Sequence, residues 1–516
     1  MFCSSKEPEM LTYSFENTDL PIYEYLYQCI RRDILAGRLK AGEKLPSRRS
    51  FAENHGISTI TVQNAYEQLI SEGYIFAVPK KGYYVADVSA YIPVSRLPEA
   101  PGSRFGGHPI KPDPDFKRTG SPVTAAGPAP AEASESAGKN AAFLHPDNSE
   151  NHVIDLSANR TSPSSFPFSI WAKLLRSTIS AKQPELMIPS PTSGIPELRS
   201  AIAGHLQSFR GVSISPEQIV IGAGTEYLYG LLVQLLGSDK TYCVENPGYK
   251  KLTQIYASYH VHCCFAGLDA YGISIRDLEM SEAQIAHISP THHFPTGITM
   301  PVTRRYEVLG WAAADGDRYI IEDDYDSEFR QNGRPIPPLI AMDRMEKVIY
   351  INTFSKSLTP TIRISYMVLP PHLAERFRRE LSFYACTVSN FEQYTLAAFI
   401  AGGYFEKHIN RMRLFYRRRR DKILKCISSS RLAPLCSVTE NDSGLHFLLK
   451  LKTSLSDREV SQRLLARGVR LQALSEYDLE KSQHPDSHIF LLNYSNIDPE
   501  ELRRAADILA DIIAEA

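Results

Sequence analysis

The sequence has no cysteine motif of a metal or redox site, no long apolar run and almost no net charge. Its eight cysteines include no C-x-x-C pair and no group with histidine at zinc-ligand spacing. No apolar stretch approaches the roughly 20 residues that cross a bilayer, and residues 1–10 lack the charged-then-apolar pattern of a signal peptide. We therefore expect reduced thiols, no bound metal, no membrane contact and a cytoplasmic protein.

Length and composition indicate a protein of several domains. The chain has 516 residues, of which 43% are hydrophobic and 22% are charged, and its net charge is −1. This balance suits a large buried core and excludes a globally basic coat for nucleic acid. Any contact with nucleic acid must therefore come from a local basic patch.

One long segment departs from this composition. Ten of the 34 prolines fall between residues 88 and 150, together with many Ala, Ser and Gly and almost no periodic apolar pattern. We predict that residues 87–152 form a flexible linker, with a span on the order of 45 Å. The linker separates an N-terminal domain, residues 19–86, from a larger domain, residues 153–516, whose smaller subdomain begins at about residue 386.

The larger domain contains a lysine within a cluster of hydroxyl side chains. This cluster, residues 353–357, follows the acidic run of residues 322–326. Pyridoxal 5′-phosphate (PLP) needs an amine for its aldehyde, a carboxylate for its pyridine nitrogen, a donor near its phenolic oxygen and several donors for its phosphate. We assign these roles, in that order, to Lys356 as the Schiff-base lysine, to Asp323, to Tyr325, and to Thr353, Ser355 and Arg363 as phosphate ligands.

Two further features suit the same cofactor. An apolar run, residues 219–221, leads into Gly224 and Thr225 at the start of a predicted helix, where free N–H groups attract an anion. Tyr249 follows a short predicted strand, and its ring is a candidate to stack on the cofactor. Each feature has a plainer alternative, because most glycine turns between a strand and a helix are structural and Tyr249 alone would be an ordinary core tyrosine.

The N-terminal domain has the pattern of a helix-turn-helix. Apolar residues recur at helical spacing from Ile22 to Leu35 and stop before Gly37, which predicts a first helix. Ser47 and Ser58 are candidate N-caps of two further helices, which are joined by a turn at Gly56. Two helices joined by a tight glycine turn are typical of a domain that places its later helix in the major groove of DNA.

A two-stranded wing is predicted for residues 74–85, and the domain carries a small excess of positive charge. Side chains of the third helix would reach bases, whereas basic residues of the second helix and the wing would neutralise phosphates. The candidate DNA contacts are Arg48, Arg49, Ser58, Thr59, Thr61, Gln63, Lys80, Lys81 and Gly82. A small helical interaction module with a basic edge remains the alternative, because the excess of charge is too small to prove DNA binding.

Taken together, these motifs resemble one family. The chain from residue 155 onward resembles a fold-type I aminotransferase, and residues 292–297, 320–330 and 353–356 are similar to the MocR group of bacterial transcription regulators. The resemblance implies a winged helix-turn-helix of the GntR type, followed by an α/β PLP-dependent transferase-like large domain and a smaller α+β C-terminal domain. It also implies a homodimer that binds paired half-sites in double-stranded DNA.

The resemblance also reveals differences around the expected pocket. Active aminotransferases have an asparagine at the position of Phe294 and, at that of Leu491, an arginine that clamps the substrate carboxylate. Where a related regulator binds its effector through an arginine, this chain has Lys251, and Arg470 is a candidate substitute. We expect His293 to lie beside the cofactor and not to bind a metal.

Two functions are compatible with this organisation. The favoured one is a PLP-dependent, DNA-binding transcription regulator that senses a small amine, an amino acid or PLP itself through its aminotransferase-like domain. Since Phe294 and Leu491 replace polar groups of active enzymes, we expect no sustained catalysis and at most a half-reaction of transamination. The alternative is a working aminotransferase with a DNA-binding appendage, because both functions begin when an amine displaces Lys356.

Overall fold

The fold was obtained as a computed structural model. It describes residue 13 and residues 21–78, 81–87, 153–157, 165–330, 336–439, 444–480, 486–495 and 497–515. The predicted linker, residues 87–152, lies outside the described residues except for Asp87 and residues 153 onward do not belong to it; Lys80 also lies outside them.

The N-terminal domain is a winged helix-turn-helix. Its elements are α1 (Ile22–Leu35), β1 (Lys44–Leu45), α2 (Arg48–His55), α3 (Thr59–Ser71), β2 (Ile75–Val78) and β3 (Gly82–Val85). Both predicted caps form, since Ser47 Oγ accepts the N–H of Ser50 at 3.1 Å and Ser58 Oγ accepts the N–H of Thr61 at 3.0 Å. Gly56 ends α2 with a left-handed φ of +65°, which glycine adopts at low cost. The strand order β1-β3-β2 makes β2 and β3 the predicted wing.

The hydrophobic core of the winged helix includes a residue of the larger domain. Leu26 and Ile30 of α1 are fully buried, as their spacing predicts, whereas Ile22 at the first position of the helix is 42% exposed. Val302 belongs to the same buried cluster, although it begins a helix of the larger domain. Its N–H donates to the carbonyl of Glu72 at 2.9 Å, so the winged helix is docked on the start of that helix.

A mixed eight-stranded sheet forms the centre of the larger domain. The short strand β4 (Ile154–Asp155) precedes this sheet and is not part of it. The eight strands of the sheet are β5 (Ile219–Gly222), β6 (Thr241–Asn246), β7 (His262–Asp269), β8 (Gly272–Ile273), β9 (Ile285–Ile288), β10 (Tyr319–Asp323), β11 (Val348–Thr353) and β12 (Ser365–Val368). The order is β5-β12-β11-β10-β9-β6-β7-β8, and only β12 and β8 run antiparallel to their neighbours. The carboxyl ends of β5, β6, β9, β10 and β11 therefore meet at one edge, where such sheets bind ligands.

Helices cover both faces of this sheet. The helices are α4 (Phe168–Ala181), α5 (Gln183–Leu186), α6 (Pro196–Arg210), α7 (Thr225–Leu236), α8 (Lys250–Ser258), α9 (Ile275–Met280), α10 (Val302–Ala313), α11 (Phe354–Ser357), α12 (Pro371–Glu380), α13 (Asn390–Ala401) and α14 (Tyr404–Ser428). Alternation along β11 explains the two layers: Ile349 and Ile351 pack with α7, α8 and α12, whereas Tyr350 packs on the other face with α6 and α13. Among the described helices, none is long and apolar enough to span a membrane.

The C-terminal part is a smaller α+β layer, as the sequence predicts. It contains β13 (Cys436–Thr439), β14 (His446–Leu451), α15 (Asp457–Ala466), β15 (Val469–Arg470), β16 (Gln472–Ala473), β17 (Ile489–Asn493) and α16 (Pro499–Ala514). Four strands form a sheet in the order β13-β14-β17-β16, and α14, α15 and α16 pack on it around a cluster that includes Phe447 and Phe490. β15 pairs instead with β4.

Candidate functional site

A cavity of about 440 Å³ lies at the edge where β6, β9, β10 and β11 end. Most of the predicted cofactor and effector residues meet in its wall, namely Thr225, Tyr249, Lys251, His293, Asp323, Tyr325, Thr353, Ser355, Lys356 and Arg363. Gly224 is not part of the cavity wall, but it contacts the guanidinium of Arg363, which is. Arg470 does not join them, because its side chain is 56% exposed and its Nη1 lies 3.8 Å from Asp155 Oδ2.

Lys356 lies on the one-turn helix α11, immediately after β11. Burial lowers the pKa of Lys356 below its ordinary value of 10.5, and the nearby carboxylates Asp326 and Asp323 oppose this shift. A lower pKa leaves more of the amine neutral at physiological pH. The neutral amine is the form that attacks an aldehyde, so the position suits imine formation.

Asp323 ends β10 with its carboxylate in the cavity. The hydroxyl of Tyr229 donates to Asp323 Oδ2 at 2.6 Å, and His287 Nε2 lies 3.7 Å from the same oxygen. The other oxygen, Oδ1, is buried and has no hydrogen-bond partner within the described part of the chain. A buried carboxylate oxygen without a partner is costly, and a protonated pyridine nitrogen would satisfy it.

The predicted phosphate ligands lie where α7 and α11 begin. Arg363 has an uncommon φ of +47°, and its guanidinium lies against Gly224, where a Cβ would come within 2.2 Å of Nη2. Ser355 Oγ is buried and has no partner among the described atoms. Thr353 instead uses its hydroxyl to hold the turn, accepting the N–H of Ser355 at 3.1 Å and the hydroxyl of Ser365 at 2.8 Å. A free hydroxyl, an arginine and a helix N-terminus together fit a phosphate.

Two histidines follow β9, and they have different surroundings. His292 Nδ1 lies 2.8 Å from Asp326 Oδ2 and 3.1 Å from the hydroxyl of Tyr325. His293 Nδ1 lies 2.8 Å from Thr296 Oγ1, and burial lowers the pKa of His293 to about 3. His293 is therefore neutral at physiological pH. Across the described residues, no group of three or more His, Cys, Asp or Glu side chains is arranged to hold a metal ion.

Glu245 contributes a carboxyl group to the floor of the cavity. Its Oε2 accepts the N–H of Ser289 at 2.9 Å and lies 3.6 Å from His293 Nε2. Burial raises the pKa of Glu245 to about 8. This carboxyl is therefore mostly protonated at neutral pH, and it adds little negative charge beside Asp323.

The predicted effector lysine already has an anionic partner. Lys251 Nζ pairs with Glu226 Oε1, and Arg363 Nη2 lies 3.6 Å from Glu226 Oε2. The hydrogen bond between Lys251 and Glu226 lowers the pKa of the Glu226 carboxyl and raises the pKa of the Lys251 amine. One carboxylate thus faces both cations at the open side of the cavity.

Phe294 and Leu491, the two positions that differ from active aminotransferases, have different places relative to the cavity. Phe294 lines the cavity, with its ring centroid 6.2 Å from that of Tyr249 and nearly perpendicular to it. Leu491 is buried outside the wall, and Asn493 is the residue of β17 that lines the cavity. Leu491 lies on the same face of β17 as Asn493, two residues further from the cavity end of the strand. Its place at the position of the substrate-clamping arginine of active enzymes stays a prediction.

The basic residues of the winged helix that are candidates for DNA contacts differ in the exposure and contacts of their side chains. Arg49 and Lys81 are exposed, at α2 and at the tip of the wing. Arg48 lies with its guanidinium carbon 6.0 Å from the ring centroid of Tyr83 in the wing. That contact links the side chain of Arg48 on α2 to the wing.

The polar candidates lie in the first turns of α3. Thr59 is exposed, while the hydroxyls of Ser58 and Thr61 lie 2.8 Å apart and share one hydrogen bond. Gln63 is half-buried, and its Nε2 donates to Glu67 at 2.7 Å. Ile60, which the sequence analysis did not single out, is 70% exposed between them.

Local sequence patterns did not reveal several residues of the cavity wall, among them Tyr229, His287, Glu226, Glu245 and Asn493. A signal was available for Tyr229, which follows Thr225 by one helical turn and so lies on the same face of α7. His287 and Asn493 reach the site only because their strands neighbour β10 and β14 in space, which no local pattern reveals.

Comparison with known proteins agrees with this architecture. Residues 22–85 match bacterial regulatory proteins of the gntR family, and residues 151–509 match aminotransferase class I and II. The uncharacterized HTH-type transcriptional regulator YdeL of Bacillus subtilis is 34% identical over 485 residues, which cover 94% of this chain and 95% of that protein. The probable rhizopine catabolism regulatory protein MocR of Rhizobium meliloti is 30% identical over 494 residues, covering 96% and 94% of the two chains.

Solved aminotransferases share the larger domain. The kynurenine aminotransferase of Pyrococcus horikoshii superposes with a TM-score of 0.62 at 25% identity, over 70% of this chain and 91% of that one. Fold and site thus define a winged-helix regulator with an aminotransferase-like domain. The chain belongs to the MocR-type bacterial transcription regulators, in which a gntR-family domain is joined to a class I and II aminotransferase domain.

Proposed function

We propose that this protein is a PLP-dependent transcription regulator that binds DNA and responds to a small amine, an amino acid or PLP itself. Lys356 would bind the cofactor aldehyde, Asp323 its pyridine nitrogen, and Ser355 and Arg363 its phosphate. When bound, PLP supplies an electrophilic carbon at which a ligand amine replaces Lys356. The two orphaned atoms, Asp323 Oδ1 and Ser355 Oγ, support this assignment.

Other residues of the site would orient these groups. Tyr229 holds the Asp323 carboxylate through its hydrogen bond of 2.6 Å to Oδ2. Tyr325 is the donor for the phenolic oxygen, and the half-exposed ring of Tyr249 is available for stacking. Lys251 is the candidate cation for an effector carboxylate.

The observation that carries the regulatory proposal is the continuity between the cavity and the winged helix. His293 and Phe294 line the cavity, and the same loop runs on to Pro301 and Val302, which contact the DNA-binding domain. At Gly73 this contact is tight, because a Cβ there would lie 2.9 Å from Cβ of Pro301. A ligand that changes the conformation of this loop would therefore change the contact between Pro301, Val302 and the winged helix.

Arg305 makes this loop a rigid connection. Its side chain is 1% exposed, and its guanidinium donates to the carbonyls of Met300 at 2.9 Å, Pro290 at 3.0 Å and Pro337 at 2.6 Å. Arg305 lies one turn into α10, whose first residue docks the winged helix. Both ends of the loop are thus tied to the helix that holds the DNA-binding domain, so a shift at either end moves that helix.

The DNA-binding surface proposed here is the start of α3 flanked by basic residues. Arg48, Arg49 and Lys81 would contact phosphates, and Thr59 and Gln63 would contact base edges in the major groove. Ile60 adds an exposed apolar side chain, which suits a thymine methyl group. A cytoplasmic homodimer would present two such surfaces to paired half-sites in double-stranded DNA.

A working aminotransferase is the second candidate, and the intact set of Lys356, Asp323, Tyr325 and Arg363 favours it. To distinguish the regulator from the enzyme, amino donors and keto acids are supplied to the protein. Product formation and affinity for the DNA upstream of the gene are both measured. The proposal expects a change in DNA affinity and at most one turnover per site. Many turnovers without any change in DNA affinity would instead establish the enzyme.

A further inference from the structure

Glu226 is an acidic residue within the proposed phosphate site. It is the second residue of α7, a 12-residue helix whose start forms part of the proposed phosphate site. Its carboxylate pairs with Lys251 and lies 3.6 Å from Arg363, the two cations at the open side of the cavity. The anion is therefore held where an incoming phosphate or carboxylate would bind.

We propose that Glu226 is an internal competitor, which an anionic group of a ligand must displace from Arg363 or from Lys251. This inference rests on the proposed function, since it takes PLP as the cofactor of the cavity. The phosphate of the cofactor competes for Arg363, and the carboxylate of an effector competes for Lys251. Glu226 thereby lowers the affinity of the cavity for anions and leaves the binding of neutral groups unchanged.

The size of the effect follows from the exposure of the three side chains. They are 44–50% exposed, so solvent screens their interactions and each pair is weak. Removing the charge at residue 226 should therefore change anion affinity by up to about fivefold. An effect of this size matters for a sensor, because it shifts the ligand concentration at which half of the sites are filled.

The test compares PLP with pyridoxal, which lacks the phosphate. Dissociation constants for both are measured by fluorescence quenching on the full-length protein and on its Glu226→Gln variant. Glu217→Gln is the matched control, because it removes one negative charge from a carboxylate that pairs with Arg199 at 3.1 Å and is not part of the cavity wall. Glu226→Gln should bind PLP up to about fivefold more tightly and pyridoxal as the wild type does.

The other outcomes each have a distinct meaning. Unchanged or weaker PLP binding by Glu226→Gln, with pyridoxal binding retained, would overturn the role of Glu226 and leave the cofactor assignment standing. An equal change for PLP and pyridoxal would indicate a structural role for Glu226 and would also overturn the proposal. If the wild type binds neither compound, the proposed function itself fails.

The lysine arm is tested with a double-mutant cycle. In Lys251→Gln, Glu226 is left with Arg363 alone, so PLP binding should weaken relative to pyridoxal. Adding Glu226→Gln to that variant should restore it. Additive effects of the two substitutions would show that Lys251 and Glu226 act independently, against the proposal.

Discussion

Tyr229 donates a hydrogen bond of 2.6 Å to one oxygen of Asp323 and leaves the other oxygen buried without a partner among the described residues. Because Asp323 lines the cavity, one carboxylate oxygen without a described partner lies in its wall. A cofactor with a protonated ring nitrogen would satisfy that acceptor, which makes Asp323 the most specific marker of the cofactor in the structure.

Replacing Asp323 with Asn should weaken PLP binding by about ten- to a hundredfold, because a charge-assisted hydrogen bond contributes about 1.5–3 kcal/mol. The visible absorbance of bound cofactor during titration measures this affinity. Tyr229→Phe, which keeps the carboxylate and removes only its orienting donor, should cause a smaller loss. Equal affinity in wild type and Asp323→Asn would show that the carboxylate does not hold the ring nitrogen.

Glu245 predicts a pH dependence of stability. Burial raises its pKa from 4.5 to about 8, so between these values the native state holds a proton that the unfolded chain has lost. The stability contributed by this group is fully present below its unfolded pKa and is lost as pH rises through about 8. Glu245→Gln keeps a neutral group there, so its melting temperature relative to wild type should increase from about pH 5 to about pH 8. A difference that stays constant with pH would contradict the buried, protonated carboxyl.

Two substitutions in the proposed DNA-binding surface should weaken DNA binding in different ways. Arg49→Ala should lower affinity for all sequences and reduce the salt dependence by about one unit, because one phosphate contact is removed. Gln63→Ala should mainly relax base preference, with a specific loss of about 1–3 kcal/mol. Fluorescence anisotropy with upstream and random DNA at several salt concentrations separates them. If Gln63→Ala weakened both DNAs equally, Gln63 would not read bases.

The contact at Gly73 should govern communication between the domains. Gly73 has a φ of +78°, and an added Cβ would meet Pro301 at 2.9 Å, so Gly73→Ala should displace the docked winged helix. Ligand-induced change in DNA affinity should fall while cofactor binding remains. Gly37→Ala is the matched control, since Gly37 has a φ of +70° with open space around it and suffers only the backbone strain of about 1 kcal/mol. Equal ligand responses of the two variants would exclude this route.

Local sequence patterns were sufficient for most of the architecture. Ser47 and Ser58 cap their helices as predicted, because capping depends on neighbours three residues away. Lys356 meets Asp323 because Asp323 ends β10 and Lys356 follows β11, and the carboxyl ends of these buried parallel strands share one edge.

What the sequence did not reveal depends on contacts between distant segments. Val302 belongs to the core of the winged helix although it lies more than two hundred residues beyond that domain, and nothing near it marks this role. Thr353 lines the cavity, and its hydroxyl also caps α11 and accepts from Ser365, a role that follows only from the positions of Ser355 and Ser365. Asn493 lines the cavity whereas Leu491, on the same face of β17, does not, because only the carboxyl end of this strand reaches the cavity.

We propose that a ligand bound at Lys356 controls the affinity of the winged helix for DNA. The most direct measurement is the dissociation constant for the upstream DNA, determined for wild type and for Lys356→Ala, each without PLP, with PLP, and with PLP plus a panel of amines and amino acids. Borohydride reduction and peptide mapping of the wild type should place the pyridoxyl group on Lys356. We expect a ligand-dependent change of about five- to 150-fold in wild type and none in Lys356→Ala. The same DNA affinity under all conditions, or the same response in both proteins, would contradict the claim.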